Sequence, residues 1–162
     1  INFIDGIDGL AITEIIKIIM IIEYFSSGLT VLAPLGLLII ASILPLYYYN
    51  FKKKRKVFLG DGGSMFLGTL AMVYILFLLG DGFKFDPDFL INKTFFAVLV
   101  LLYPLTDLLR VFALRIKDCK SPFIADQNHI HHFLLKKFKI QSITTAVILT
   151  LELFLVVAIL SM

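Results

Sequence analysis

The sequence predicts an all-α fold: a polytopic transmembrane bundle of about five membrane helices with cytoplasmic polar loops. Three observations carry this. The chain is 59% hydrophobic with a mean hydropathy of +0.95, well outside the range of soluble domains. Its apolar residues fall in runs close to the ~20 residues that cross hydrocarbon. Its 15 Lys and Arg gather mainly in two clusters, the pattern of cytoplasmic loops. A pI near 9.0 therefore points to topology and lipid headgroups before nucleic acid. The lone Cys119 excludes an internal disulfide. The chain starts at Ile1 inside a dense polar motif, so it reads as the C-terminal portion (1–162) of a larger membrane domain whose N-terminal helices are missing.

The first stretch, Ile1 to Gly9, holds two Asp-Gly pairs that bring Asp5 and Asp8 close on a turn. They could join a metal or phosphate site, or merely cap the first helix. That helix runs from about Leu10 to Phe25 and carries Glu14, Lys17 and Glu23, so it should face other helices or an interface. Helix two runs from about Leu29 to Tyr48 with Pro34 and Pro45 as kink sites; Tyr47, Tyr48 and Tyr49 form an interfacial belt beside the basic run 52–56. Helix three is predicted over Ser64 to Leu79 with Ser64 as N-cap. The glycines around Asp61 let backbone approach a ligand, and Asp61 could hold a hard cation such as Mg²⁺. A turn with a solvated Asp61 explains the same five residues. After an acidic loop, helix four covers about Thr94 to Ile116, with Pro104, Asp107 and Arg110 inside it. Asp107 and Arg110 are three apart and are read as pairing with each other. A polar loop from Lys117 to Ser142 holds all three histidines, His129, His131 and His132. They could ligate metal, shuttle protons or hydrogen-bond a phosphate, or be surface residues without a role. Zinc is open to them, although Cys partners and spaced pairs are lacking. Helix five covers about Ile143 to Leu160; its Glu152 is expected to meet another helix.

Two spans separate the basic clusters, which places both on one face. Counting back two helices from 52–56 puts Asp5 and Asp8 on that face as well. Asp5, Asp8, Asp61 and the histidine loop then meet at the cytoplasmic surface, and the 81–88 loop lies outside. This convergence suits divalent-metal and phosphate chemistry. An ion-coupled transporter would place its key charges near the midplane, and a non-catalytic scaffold would bind neither metal nor nucleotide.

Three motifs in order carry a resemblance: Asn2-Phe3-Ile4-Asp5-Gly6-Ile7-Asp8-Gly9-Leu10, then Phe58-Leu59-Gly60-Asp61-Gly62-Gly63-Ser64-Met65-Phe66-Leu67-Gly68, then Ser121-Pro122-Phe123 through His129-Ile130-His131-His132. Together they resemble the polyprenyl-phosphate N-acetylhexosamine-1-phosphate transferases. These include the undecaprenyl-phosphate GlcNAc-1-phosphate transferases and the phospho-MurNAc-pentapeptide translocase, and the histidine motif looks more like the GlcNAc branch. The resemblance implies transfer of a sugar-1-phosphate, GlcNAc-1-phosphate by that branch, from a UDP-sugar to a polyprenyl phosphate. UMP is released with Mg²⁺, or Mn²⁺ in its place, in the first membrane step of a cell-envelope polysaccharide such as lipopolysaccharide. It implies Asp61 as metal ligand and a uridine pocket of Asn2, Gly6, Asp8 and Phe58, with Phe58 stacking on the base. Asp5 would support the site and His129, His131 and His132 would contact the diphosphate. Arg115 belongs to the substrate-binding set. The implied location is the plasma (inner) membrane with a cytoplasmic active site, and a homodimer is an assembly open to it. Two departures stand out: Gln127 replaces the usual Arg, and the family's adjacent aspartate pair is absent, so 1–162 alone is expected to be inactive.

Overall fold

The computed structural model describes residues 7–52, 55–87, 89, 91–119 and 129–160. They form seven helices: α1 (Leu10–Tyr24), α2 (Ala33–Asn50), α3 (Gly60–Leu79), α4 (Lys93–Val100), α5 (Leu102–Lys117), α6 (Ile130–Phe138) and α7 (Gln141–Leu160). Three of these, α2, α3 and α7, are long and apolar enough to cross a membrane, and α4 with α5 makes a fourth span if the bent pair counts as one. The chain is a polytopic helical membrane protein.

The helix predicted first is shorter than a span, at 15 residues. It is the centre of the bundle and packs on α3, α2 and α7. Its isoleucines, among them Ile12, Ile15, Ile18 and Ile22, are buried against Ile39, Leu67, Tyr74 and Phe96. Within a bilayer, lipid tails are as apolar as isoleucine, so close packing and polar contacts hold such helices together. The outer faces are apolar too: Leu37 and Leu38 on α2, Phe66 and Met72 on α3, and Phe154 and Val157 on α7 are all exposed, as a lipid-facing surface requires. Charges sit inside as well, three of them in one network. The Lys17 ammonium lies 2.6 Å from Glu14 Oε2 and also contacts Glu152 Oε1, which accepts in addition from the Tyr103 backbone N–H at 3.2 Å. Glu152 thus meets other helices, as expected, and this network ties α7 to α1.

The predicted fourth helix is broken. It bends by 72° between α4 and α5, because Pro104 has no N–H to give the carbonyl of Val100 and its ring crowds that carbonyl. Asn92 starts α4 properly, its side chain accepting from the Thr94 and Phe95 N–H groups. At the end of the bundle away from Asp8, the α1–α2 and α3–α4 loops are stitched by Ser27 N–H to Lys84 O at 3.0 Å and Asp86 N–H to Phe25 O at 3.1 Å. Edge-on rings of Phe25, Phe85, Phe89 and Phe96 fill that end.

Candidate functional site

The Asp8 turn is built by its neighbours. Gly9 takes φ 75°, left-handed backbone suited to glycine, and a Cβ there would strike the Phe51 ring. Its N–H donates to Asn50 Oδ1 at 2.6 Å, and the Asn50 amide donates to the Val57 carbonyl at 2.8 Å. One buried side chain at the end of α2 therefore fastens the turn before α1 to the segment before α3. Lys56 forms an ion pair with the Asp8 carboxylate at 2.5 Å, and its ammonium lies 4.9 Å from the centroid of the exposed Phe58 ring. The Gln141 amide faces the same carboxylate, and the Thr145 hydroxyl donates to the Asp8 carbonyl at 3.0 Å. Asp8, Lys56 and Phe58 thus lead in sequence and space to the start of α3. Lys56 was legible only as one of a basic run; its place beside Phe58 and Leu59 was the available signal.

Helix α3 begins at Gly60, not at Ser64. Ser64 lies inside the helix, buried, and its hydroxyl donates back to the Asp61 carbonyl at 3.0 Å, the local bond serines make within helices. The predicted N-cap is therefore corrected, and Asp61 falls in the first helical turn, exposed. Leu59 precedes the helix and supplies no side-chain cap. A Cβ at Gly60 or Gly62 would meet nothing within 4 Å, so space lies open beside the carboxylate. An exposed hard oxygen donor with room for phosphate oxygens fits Mg²⁺, which takes one or two carboxylates and completes its shell with water and phosphate.

The histidines are set by α5 and α6. His129 precedes α6 with extended backbone. Its Nδ1 lies 2.7 Å from Asp107 Oδ2, and the Ile130 N–H donates to Asp107 Oδ1 at 2.7 Å. Asp107 thus turns to α6, which corrects the expected pairing with Arg110: the 72° bend aims α5 so that this carboxylate meets the start of the next helix. The His131 ring stacks on His129 at 5.3 Å between centroids, and its Nδ1 is 3.3 Å from the Tyr103 hydroxyl. Asp107, His129 and His131 are all buried, and one ligand atom from each lies within 4.8 Å of the others, so the three could hold a metal ion. The sequence placed His129 to Gln141 in a loop; helix α6 is an addition, legible in the apolar spacing of Ile130, Phe133, Leu134 and Phe138.

Both centres meet on one apolar cluster. Ile7, Leu10, Tyr103 and Ile148 are buried together, with Ile130, Leu134 and Leu135 packed against them. Ile7 adjoins Asp8, Ile130 adjoins His129, and Ile148 lies on the helix whose Thr145 holds Asp8. Arg115 is buried in the last turn of α5. Asn2, Asp5, Gly6 and Gln127 lie outside the described residues, as does the side chain of His132.

Residues 1–79 match the model of glycosyl transferase family 4. A probable undecaprenyl-phosphate N-acetylglucosaminyl 1-phosphate transferase of Bacillus subtilis is 36% identical over 83% of this chain and 36% of its own length. The undecaprenyl-phosphate alpha-N-acetylglucosaminyl 1-phosphate transferase of Escherichia coli K12 is 32% identical over 83% of this chain and 36% of its own length. That of Yersinia pestis is 33% identical over 83% and 37%. No solved structure matches. Residues 1–79 of the chain belong to glycosyl transferase family 4, and the chain spans about a third of the length of the curated relatives it matches.

Proposed function

We propose that this chain is part of a longer membrane enzyme that transfers GlcNAc-1-phosphate from UDP-GlcNAc to a polyprenyl phosphate, releasing UMP, on the cytoplasmic face of the inner membrane. The observation that carries this is the shared apolar cluster: Ile7 beside Asp8 and Ile130 beside His129 pack together, and Lys56 links Asp8 to Phe58 ahead of Asp61. The similarity to undecaprenyl-phosphate N-acetylglucosaminyl 1-phosphate transferases supports the reaction class.

The chemistry asks little of a base. A phosphate monoester has its second pKa near 6, so the attacking oxygen is already anionic at neutral pH. The obstacle is repulsion between two anions, met by positioning and by fixed positive charge. Asp61, exposed in the first turn of α3, would hold Mg²⁺, which supplies charge neutralisation at the transferring phosphoryl group. Lys56 neutralises Asp8, so that the turn presents backbone and amide groups rather than bare negative charge to a nucleotide. Phe58, exposed and beside that lysine, offers a face for the base. His129 and His131 are the residues expected to lie nearest a diphosphate, and the oxygen leaving with UMP departs as a phosphate that needs no proton at neutral pH.

The test is UMP release by the purified full-length protein in nanodiscs. Release should require UDP-GlcNAc, polyprenyl phosphate and Mg²⁺ together. A protein that binds none of the three, or that moves an ion without releasing UMP, would overturn the proposal.

A further inference from the structure

We propose that Asp107 is a positioning residue that sets the tautomer and orientation of His129. The two oxygens of this buried carboxylate divide the work. Oδ1 accepts the Ile130 N–H at 2.7 Å and so caps α6 from a different helix, α5. Oδ2 lies 2.7 Å from His129 Nδ1. A carboxylate can only accept, so Nδ1 must carry the proton, and the other ring nitrogen, Nε2, is the one whose character follows from that choice. The ring cannot swing, because its neighbour along the chain is pinned by the same side chain and His131 lies stacked on it. His131 is steadied in turn by the Tyr103 hydroxyl at 3.3 Å, one turn before Asp107 on α5. Holding both the ring and the next peptide N–H on one buried carboxylate fixes the imidazole more tightly than loop packing does. Behind metal-bound imidazoles, loss of such a carboxylate costs about tenfold to a hundredfold in affinity or activity, and an effect of that order is expected here.

What the ring acts on rests on the transferase reading above; its tautomer does not. Histidine ring nitrogens should therefore be observed directly, by ¹⁵N NMR of the full-length protein in nanodiscs, with His129→Ala to assign the signal. Wild type should show His129 protonated at Nδ1. Asp107→Asn keeps an acceptor for Ile130 but can turn an amide N–H towards the ring, and should abolish that signature. UMP release should fall about tenfold to a hundredfold in Asp107→Asn, and Asp107→Asn added to His129→Ala should change it less than about twofold, since residues acting through one another are not additive. If Asp107→Asn does not accumulate, the wild-type spectrum alone decides, and a ring protonated only at Nε2 overturns the inference. So does a double variant whose losses multiply. A transition metal held stoichiometrically by wild type and lost in His129→Ala would overturn it as well, because the same three groups would then be ligands. Wild type that shows the Nδ1 tautomer yet releases no UMP would remove the transferase reading and leave the positioning intact.

Discussion

Asn50 and Lys17 show how single side chains hold this molecule together. Asn50 is buried and serves both Gly9 N–H and Val57 C=O. Asn50→Ala leaves a buried donor and a carbonyl unpaired, and should cost about 1–3 kcal/mol, read as a lower unfolding midpoint in detergent. Lys17 sits between two buried carboxylates, and one oxygen on each of Glu14 and Glu152 has no partner among the described residues. Lys17→Met removes the only cation of the triad, and should destabilise by about 3–5 kcal/mol. Adding Glu14→Gln and Glu152→Gln should recover most of that loss, since a neutral triad has no uncompensated charge. A Lys17→Met protein as stable as wild type would mean that the carboxylates are neutralised by something else. From the sequence, Glu14, Lys17 and Glu152 announced themselves as charges inside apolar helices. Asn50 did not, because an asparagine at the end of an apolar run looks like a helix end facing water. Its burial depends on Gly9, 41 residues away, and no local pattern encodes that contact.

Among the elements, the long apolar helices were the most legible, since about 20 apolar residues leave few alternatives in a membrane. Three boundaries differed for physical reasons. Glycines at 60, 62 and 63 did not delay α3, which starts at Gly60 with Asp61 in its first turn. A short helix, α6, hid in a polar loop because its nine residues are too few for a strong period. The fourth apolar run concealed a break, since Pro104 reads as a kink whether or not the chain actually turns there. The break can be tested. Pro104→Ala restores a hydrogen-bond donor opposite Val100 and should let α4 and α5 straighten. Spin labels at Lys93 and Lys117 should then move from roughly 30 Å apart towards roughly 36 Å, the length of a continuous helix at 1.5 Å per residue. An unchanged distance would assign the bend to the packing of α5 on α7 instead.

The whole molecule raises the question of sidedness. The basic clusters lead us to expect 52–56 in the cytoplasm and the 81–88 loop outside. In a Cys119→Ser background, Lys84→Cys should react with an impermeant thiol reagent added to intact cells, and Lys52→Cys should react only after permeabilisation. The reverse pattern would invert the orientation and take the site away from cytoplasmic nucleotides. The sequence also read Asp8, Asp61 and the histidines as meeting on one membrane face, by parity of spans. Within the described residues, Ile7 and Ile130, the chain neighbours of Asp8 and His129, pack in one apolar cluster, and Asp61 is not part of it. Asp107 was the residue misjudged: a charge three positions from an arginine suggested a local pair, and only the bend reveals that it faces α6.

Asp61 carries the central claim, that this segment contributes the metal-holding carboxylate of a sugar-1-phosphate transferase. Asp61→Asn preserves shape and removes the charge that would hold Mg²⁺. Transition-state stabilisation should drop by several kcal/mol, the scale of metal assistance to phosphoryl chemistry, and each ~1.36 kcal/mol is tenfold in rate. The measurement is UMP release per folded molecule of the full-length protein at saturating Mg²⁺. A fall of several orders of magnitude, with an unchanged unfolding midpoint, is the expected result; near-normal turnover by Asp61→Asn would contradict it.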